Sequence, residues 1–347
     1  MPRTMKPLRR IIFRFFLAFG VLFLAAVIAI GWWGSGHLVS PQRRVLQDYH
    51  RDILAEPNRF GLEIEPFTTS DGTPCLLVTG SKAPGEAVKG RIARQKLTER
   101  HVALPPWGAQ NGTIVLLYGH NGRKEDHLPI CERFCAAGFR CILLDVPGQG
   151  DSPGLTGSFG LNEAALVERT VLEAATRFDF PPTPANLFGV SQGGAIALQT
   201  AAHSPGKWDA VASIATFSSL DRPLRRSAEE MFPEDLRFCC PIASFSVACG
   251  TRLRAGFWPS DVRPVEAAAK LNLPVFIAHG DRDPYIGIDQ GREIFEAIPS
   301  PRKQFRIVEK ADHNHVLSKG SHDLYADLCE FYLTAKNRPA ADFERTE

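Results

Sequence analysis

The sequence has little excess charge of either sign and no internal repeat. Its 347 residues include 40 Lys and Arg against 38 Asp and Glu, which gives a formal net charge of +2. A nucleic-acid partner is therefore not expected, because proteins that bind nucleic acid concentrate basic residues. The hydrophobic fraction of 44% and the charged fraction of 22% are those of a folded globular chain. They exclude the disordered and fibrous classes.

Patterns for bound metal, redox chemistry and phosphate are also lacking. The eight cysteines form no C-x-x-C pair and have no histidine beside them at zinc-ligand spacing. The glycine-rich stretch GQGDSPG lacks the G-x-x-x-x-G-K-[ST] pattern of a phosphate-binding loop. If the domain is exported, some cysteines could be oxidised, and Cys239 and Cys249 are candidates because they lie in a loop-rich stretch. The sequence does not name their partners.

One long segment has no charged residue. Residues 15–33, FFLAFGVLFLAAVIAIGWW, can cross a hydrocarbon core of roughly 30 Å at about 1.5 Å per helical residue. The first acidic residue of the chain is Asp48. Five basic residues precede the segment: Arg3, Lys6, Arg9, Arg10 and Arg14. The sequence therefore predicts a basic N-terminus over 1–14, a transmembrane helix over 15–33 and a stalk over 34–60.

The basic cluster before the segment also predicts its orientation. By the positive-inside rule, the N-terminus is cytoplasmic and the main domain lies on the exported side of the membrane. Two alternatives remain open. The segment could be a secretory signal, with the domain secreted after cleavage, although the run exceeds a usual signal core of about 7–15 residues and no clean A-x-A site follows. It could also be a buried core helix, which the preceding cations disfavour.

Short apolar runs alternate with helical patterns through the rest of the chain. Residues 61–67 and 75–80, joined by a DG turn, predict an antiparallel hairpin. Residues 81–110 form a segment that is bounded by Pro and Gly and basic in its middle, and the sequence does not indicate its function. Continuous apolar runs, typical of strands buried on both faces, lie at 113–118, 140–146, 185–190, 210–215, 273–280 and 304–309. Their alternation with helices predicts the α/β class with a mostly parallel sheet.

The sequence GVSQG at residues 189–193 places a serine between a predicted strand and a predicted helix. It fits G-x-S-x-G, the nucleophile elbow, in which a strained turn exposes the serine hydroxyl. Gly189 and Gly193 remove Cβ atoms that would collide with the turn. The N-terminus of the following helix favours an oxyanion beside Ser191. A purely structural turn between a strand and a helix would also use glycines. Other residues of the chain must therefore show whether Ser191 is a nucleophile.

A serine nucleophile needs a general base, and the base needs an orienting carboxylate. Asp283 lies just past the apolar run 273–280, and His313 lies just past the run 304–309. The chain order of Ser, Asp and His and the placement of the acid and base after strands match the nucleophile-elbow arrangement. The sequence therefore predicts a catalytic triad of Ser191, Asp283 and His313.

With these residues the chain resembles the α/β-hydrolase-fold serine hydrolases from about residue 60 to 335. It is most similar to the prolyl-oligopeptidase-like, serine-aminopeptidase-like and small esterase branches. The resemblance rests on the elbow, on an H-G-x-x-D match that includes His279 and Asp283, and on an A-G-H-N-like match at 311–314. In the latter, Asp312 replaces the usual glycine. The resemblance implies an α/β-hydrolase domain over 61–335, which leaves 336–347 as a C-terminal tail.

The resemblance also implies an oxyanion hole made of two backbone N–H groups. One is expected from Gln192, directly after the candidate nucleophile. The other is expected from YGHNG at 118–122, which matches the family's H-G-x-x-G loop except that Tyr118 replaces its histidine. This alignment assigns the second donor to His120, with Asn121 as the alternative register.

Neighbouring residues compete with these assignments. Asp281 is the nearest rival for the acid, and His315 is the nearest rival for the base. The DHNH stretch at 312–315 offers a metal-ligand pair, but the sequence places no third ligand, so no metal site is predicted. Asp145 ends a strand near the active edge of the sheet, where it is expected to bond the loop rather than to take part in catalysis.

The expected activity is two-step acyl transfer to water, without a metal or organic cofactor. The candidate substrates are a small acyl ester, a lipid or a peptide. A carboxylesterase or lipase-like enzyme is the first expectation, and a serine peptidase and an inactive hydrolase-fold binding module are the alternatives. A lid is expected at 217–264, where arginines and aromatic residues either line an acyl pocket or pack over the sheet.

Overall fold

The structure is a computed structural model that describes residues 5–86 and 88–335. Side chains of the N-terminal helix are described from Arg9 onward. Of the predicted basic N-terminus, Arg3 lies outside the described residues and Lys6 outside the described side chains. The predicted tail over 336–347 also lies outside the described residues.

The apolar runs form one eight-stranded sheet with the order β1-β2-β4-β3-β5-β6-β7-β8. The strands are β1 (Leu62–Thr68), β2 (Pro74–Gly80), β3 (Thr113–Leu117), β4 (Arg140–Leu144), β5 (Ala185–Val190), β6 (Ala210–Ile214), β7 (Val275–Gly280) and β8 (Lys303–Val308). Strand β2 pairs antiparallel with β1 and β4, and all pairs from β4 to β8 are parallel. The predicted hairpin and the mostly parallel sheet are confirmed.

Helices cover both faces of the sheet, which explains why β3, β4, β6 and β7 are buried along their whole length. The helices are α1 (Met5–Val39), α2 (Asp48–Ala55), α3 (Val88–Glu99), α4 (Leu128–Ala136), α5 (Glu163–Arg177), α6 (Gln192–His203), α7 (Asp221–Met231), α8 (Cys240–Ala255), α9 (Pro264–Ala268), α10 (Ile288–Ala297) and α11 (Val316–Ala335). One core cluster joins α3, α4 and α11, and a second joins α5, α6, α9 and α10.

The apolar N-terminal segment forms the single helix α1. Its stretch Arg9–Val39 contains an 18-residue window with a mean hydropathy of 2.7, and that window is exposed. By length and composition α1 can cross a membrane, a property that a signal sequence shares. The helix runs past residue 33, the predicted end of the span, because Val39 is buried in the main domain and its carbonyl accepts a hydrogen bond from the Gly157 N–H at 2.8 Å. The predicted stalk therefore begins as helix.

The basic segment over 81–110 contains α3, which packs between α4 and α11. Lys96 Nζ lies 2.6 Å from Asp323 Oδ1, and Arg100 Nη1 lies 2.8 Å from Asp327 Oδ1. Both acidic residues belong to α11. The basic residues of this segment thus pair with an acidic face of the last helix, 227 positions away along the chain.

Residues 217–264, the predicted lid, lie between β6 and β7 and are called the cap below. They contain α7, a 3-10 helix over Glu234–Cys239, and α8. The cap includes Cys239 and Cys249, and in the structure all eight cysteines are free thiols. The oxidation of Cys239 or Cys249 stays a prediction.

Helix α8 of the cap packs along α1 through small and polar residues. Ser246 Oγ donates a hydrogen bond to the Val27 carbonyl at 2.5 Å, and Arg254 Nε donates to Ser35 Oγ at 3.1 Å. Along both helices the second contact lies eight positions after the first, from Val27 to Ser35 on α1 and from Ser246 to Arg254 on α8. The two helices therefore run in the same direction. A Cβ at Gly31 would lie 2.3 Å from Ser246 Oγ, which shows how closely the helices approach.

A buried ion network joins the loop after β4 to the segment after β3. Asp145 is fully buried, and its carboxylate accepts hydrogen bonds from Lys124 N at 2.8 Å, Lys124 Nζ at 2.8 Å and Asp151 N at 2.9 Å. Burial alone would lower the pKa of Lys124, but the charges and hydrogen bonds of Asp145, Asp151 and Glu125 together outweigh it and raise that pKa, so the ammonium stays charged. Asp145 thus bonds the loop, as the sequence indicated.

We predict that Lys124→Met destabilises the protein by about 3–5 kcal/mol, because it leaves the Asp145 carboxylate buried without its partner. The free energy of unfolding is measured by chemical denaturation of the full chain in detergent micelles. Lys96→Met is the matched control, since Lys96 is 30% exposed and its Nζ lies 2.6 Å from Oδ1 of Asp323, which is 60% exposed. An exposed pair of this kind contributes less than about 1 kcal/mol. Equal losses in the two variants would contradict the prediction.

Candidate active site

The turn between β5 and α6 holds Ser191 in a strained conformation. Its φ of 53° and ψ of −115° lie outside the regions that ordinary residues favour. A Cβ at Gly193 would lie 1.9 Å from the Leu117 carbonyl oxygen, and a Cβ at Gly189 would lie 2.1 Å from the Gly193 carbonyl oxygen. Neither position can accept a larger residue without a shift of the backbone. The two elbow glycines are therefore required by close approach of β3, β5 and α6.

Ser191, Asp283 and His313 meet at the carboxyl edge of the parallel strands. Asp283 follows β7 and His313 follows β8, the two neighbours at one side of the sheet. His313 Nδ1 lies 2.6 Å from Asp283 Oδ2, and His313 Nε2 lies 3.0 Å from Ser191 Oγ. Because a carboxylate only accepts, Nδ1 donates to Asp283, which leaves Nε2 free to accept the hydroxyl proton of Ser191. This geometry allows the imidazole to act as a general base.

The Asp283 carboxylate is fixed from several directions. Its Oδ1 accepts hydrogen bonds from the N–H groups of Tyr285 at 3.0 Å and Ile286 at 2.9 Å. Burial alone would raise the pKa of Asp283, but hydrogen bonds from His279 and His313 outweigh it and hold that pKa well below its ordinary value. The carboxylate therefore stays ionised and can stabilise a positive charge on His313.

His279 supports the same loop from within the core. Its side chain is fully buried, and Nε2 lies 2.7 Å from the Ile286 carbonyl oxygen and 3.5 Å from Asp283 Oδ2. Since the carbonyl can only accept, Nε2 carries the proton. In the sequence His279 is recognisable only as part of a family motif, and the structure shows which backbone and side-chain groups it contacts.

The rival residues lie outside this chain of hydrogen bonds. Asp281 is exposed, two positions before Asp283. His315 Nδ1 lies 2.6 Å from Asp312 Oδ1, in an exposed pair. Asp312 Oδ1 also accepts hydrogen bonds from Asn314 N and His315 N, both at 3.1 Å. Where the family has glycine, this chain therefore has a side chain that braces the loop carrying His313.

The described residues bring three possible metal ligands together at one place, Glu125, Asp145 and Asp151. Lys124 Nζ lies 2.8–2.9 Å from an oxygen of each of the three carboxylates. The ammonium thus provides the positive charge that the cluster requires. The cluster fits a structural ion network better than a cation site.

The predicted oxyanion residues lie beside Ser191 on the same cavity. Gln192 is the first residue of α6, where backbone N–H groups have no partner within the helix. His120 Nε2 donates a hydrogen bond to the Leu38 carbonyl at 2.9 Å, which ties this loop to α1. Asn121 has a φ of 61°, in the left-handed region. The assignment of the second N–H donor to His120 or Asn121 stays a prediction.

A cavity of about 710 Å³ opens beside Ser191 and His313. Its walls come from α7 and α8 of the cap, from the loops of the sheet and from α1. None of the described residues that line it is Asp, Glu, Lys or Arg. A cavity of this size and lining suits an apolar group of a small ligand.

Helix α1 contributes a part of the site that the sequence did not predict. Ile30, Trp33, Gly34, His37 and Leu38 line the cavity, although the segment was predicted as a span and a stalk. Hydropathy records that a residue is apolar, but it does not say whether the residue contacts lipid or a cavity. No signal in this stretch could have separated the two.

Parts of the chain are similar to known proteins. The family described as serine aminopeptidase, S33, matches residues 108–239, which include β3 and the elbow but end before Asp283 and His313. The chain is 26% identical over 319 residues to the uncharacterized protein YqkD of Bacillus subtilis, with 91% of this chain and 95% of that protein covered. It is 24% identical over 299 residues to caffeoylshikimate esterase of Arabidopsis thaliana, with 76% and 85% covered.

Solved structures show the same fold at low identity. An esterase of Pyrococcus furiosus has a TM-score of 0.60 and 16% identity, with 85% of this chain and 97% of that chain covered. A membrane phospholipase A, described as a bacterial virulence factor, has a TM-score of 0.51 and 17% identity, with 94% and 100% covered. The sheet order, the elbow and these matches lead to one conclusion. The chain has the α/β-hydrolase fold.

Proposed function

We propose that this protein is a serine hydrolase that cleaves a carboxylic ester through an acyl-enzyme, held at a membrane by α1. The observation that carries the proposal is the hydrogen-bond chain from Asp283 through His313 to Ser191, with distances of 2.6 and 3.0 Å. Both distances are within the reach that proton transfer requires. Ser191 and His313 line a mostly apolar cavity. This lining supports an ester with an apolar acyl group as the substrate.

In the first step Ser191 Oγ attacks the ester carbonyl carbon while His313 Nε2 takes the hydroxyl proton. His313 then gives this proton to the leaving alcohol as the ester bond breaks, which leaves an acyl group on Ser191. In the second step His313 takes a proton from water, and the resulting hydroxide attacks the acyl carbonyl. The acid leaves, and Ser191 regains its proton. Asp283 holds the tautomer of His313 throughout and stabilises its charged form.

The negative oxygen of each tetrahedral intermediate needs donors that are already oriented. We assign them to the backbone N–H groups of Gln192 and His120, with Asn121 as the alternative to His120. One such donor contributes about 3–4 kcal/mol to the stabilisation of a transition state. The N-terminus of α6 adds a favourable field at the same point.

An aminopeptidase is the second candidate, and the match to the serine aminopeptidase family favours it. Such an enzyme must hold the charged amino terminus of a peptide, usually with a carboxylate. Among the described residues that line the cavity there is no Asp or Glu, so this lining supports an ester instead. Two of the similar proteins are named esterases. A hydrolase-shaped binding module would not require His313 within 3.0 Å of Ser191.

We predict that a fluorophosphonate probe labels the full chain in detergent micelles at Ser191. Labelling should disappear in Ser191→Ala and become much slower in His313→Ala, because the probe reacts with a serine that a base activates. Circular dichroism checks that both variants remain folded. A folded wild-type protein that is not labelled would favour the binding module. In turnover assays we expect acyl esters to be hydrolysed and aminoacyl amides to be left intact, and the reverse result would favour the peptidase.

The role of Asp283 as the acid of the triad can be tested by substitution, with the neighbouring Asp281 as the control. We expect Asp283→Asn to lower kcat for a short ester by about 10⁴-fold, because an amide favours the wrong tautomer of His313. Asp281→Asn should leave kcat unchanged, since Asp281 is exposed and its carboxylate is outside the hydrogen-bond chain. If the two variants were equally active, the assignment of Asp283 would be wrong.

The basic residues before the apolar run of α1, of which Arg9, Arg10 and Arg14 are described, support a cytoplasmic N-terminus and an exported main domain. We predict that alkaline phosphatase fused to the C-terminus is active in bacterial cells, because it folds only after export. A fused green fluorescent protein should stay dark when exported through the same route. The opposite pair of results would overturn this orientation. Recovery of the fusion from the medium, without α1, would instead show cleavage of a secretory signal.

A further inference from the structure

The last turns of α1 form one wall of the cavity beside Ser191. Ile30, Trp33, Gly34, His37 and Leu38 line this wall. Their offsets of i, i+3, i+4, i+7 and i+8 place them on one face of the helix. From Ile30 to Leu38 the helix rises about 12 Å. The wall is therefore a long, mostly apolar strip and not a single contact.

The inner end of this wall lies next to the predicted oxyanion loop. The Leu38 carbonyl accepts the hydrogen bond from His120 Nε2 at 2.9 Å. The His120 ring stacks on Phe159, with 5.9 Å between ring centroids and 12° between planes. Val39, the last residue of α1, is buried. The C-terminal end of α1 is thus held against the loop that faces Ser191.

The outer end of the wall lies toward the surface. Ala243 lines the cavity and precedes Ser246 on α8. Because α8 and α1 run in the same direction and Ser246 contacts Val27, Ala243 lies toward the N-terminal part of α1. Met231, at the end of α7, also lines the cavity and is 55% exposed. The cavity therefore extends from the reacting atoms toward the apolar part of α1.

The distance between this wall and the cap is set by small residues. A Cβ at Gly34 would lie 2.6 Å from Val247 Cγ2, and a Cβ at Gly250 would lie 2.5 Å from the Gly31 carbonyl oxygen. Larger residues at these positions would push the two helices apart. The packing fixes α1 as a rigid side of the cavity, which is what a surface that selects among acyl chains requires.

We propose that α1 is part of the substrate-binding site, and that the acyl chain of the ester extends from Ser191 along the face formed by residues 30–38. Ile30 then limits the length of the acyl chain that fits. The substrate class is an ester with an extended apolar acyl chain, rather than an acetyl ester. The inference rests on the proposed function, and it assigns to the membrane helix a role in specificity that an anchor alone does not have.

The test compares Ile30→Trp with Ile28→Trp in the full chain in detergent micelles. Ile28 lies on the same helix, is 61% exposed and is outside the set of described residues that line the cavity. The substrates are acetyl, butyryl, octanoyl and dodecanoyl esters of p-nitrophenol. For Ile30→Trp we expect kcat/KM for the dodecanoyl ester to fall about tenfold, as for a filled apolar pocket, while that for the acetyl ester is unchanged. Ile28→Trp should leave the whole profile unchanged.

A smaller side chain gives the opposite test and guards against a variant that does not fold. Ile30→Ala lengthens the cavity, so the ratio of dodecanoyl to acetyl kcat/KM should rise. If Ile30→Trp and Ile30→Ala both kept the wild-type profile, the inference would be overturned. A general loss of activity toward all four esters in Ile30→Ala would also overturn it, since it would show a structural role only.

A second readout separates this inference from the proposed function. The rate of labelling by fluorophosphonates with short and long alkyl chains requires the activated serine but no turnover. We expect Ile30→Trp to slow the long-chain probe and not the short one. If the wild type is labelled but hydrolyses no ester, the proposed ester substrate is wrong, and the labelling ratio still decides whether α1 forms the wall.

Discussion

The sharp turn at Ser191 is the constraint on which the rest of the site depends. It places a residue with positive φ between β5 and α6, and it brings Gly193 so close to Leu117 that a Cβ at Gly193 would lie 1.9 Å from the Leu117 carbonyl oxygen. This close approach is possible only because β3 and β5 are adjacent, parallel and covered by α6. Once the hydroxyl is fixed at that edge of the sheet, side chains from the loops after β7 and β8 can reach it.

The residues near Ser191 could be predicted from the sequence because each follows from a local pattern. An apolar run, a G-x-S-x-G turn and a helical pattern identify the elbow within a few positions, and the carboxyl ends of parallel strands necessarily meet at one edge. The positions of Asp283 and His313 follow from the same rule. Asp312 illustrates its limit. The sequence shows only that it replaces the family's glycine, whereas the structure shows that its carboxylate accepts hydrogen bonds from the backbone N–H groups of residues 314 and 315.

The contribution of α1 could not be predicted, because it depends on contacts between segments far apart in the chain. The contacts of Ser246 with Val27 and of Arg254 with Ser35 each join residues 219 positions apart. Glycines such as Gly31 and Gly34 are common in membrane helices, where they let neighbouring helices approach. Their presence in the sequence is therefore compatible with a plain span. Only the packed structure shows that they bring α1 against the cap.

This packing also bears on the choice between an anchor and a cleaved signal. Cleavage after the apolar run would remove a wall of the cavity and leave α8 exposed along the surface that now contacts α1. It would also separate the Leu38 carbonyl from His120 if the cut lay beyond residue 38, and the loop beside Ser191 would lose one of its contacts. A signal sequence makes no such contacts with the mature domain, because it is removed as the chain is exported. These contacts support the proposal that α1 is retained, because they make the helix part of the cavity wall.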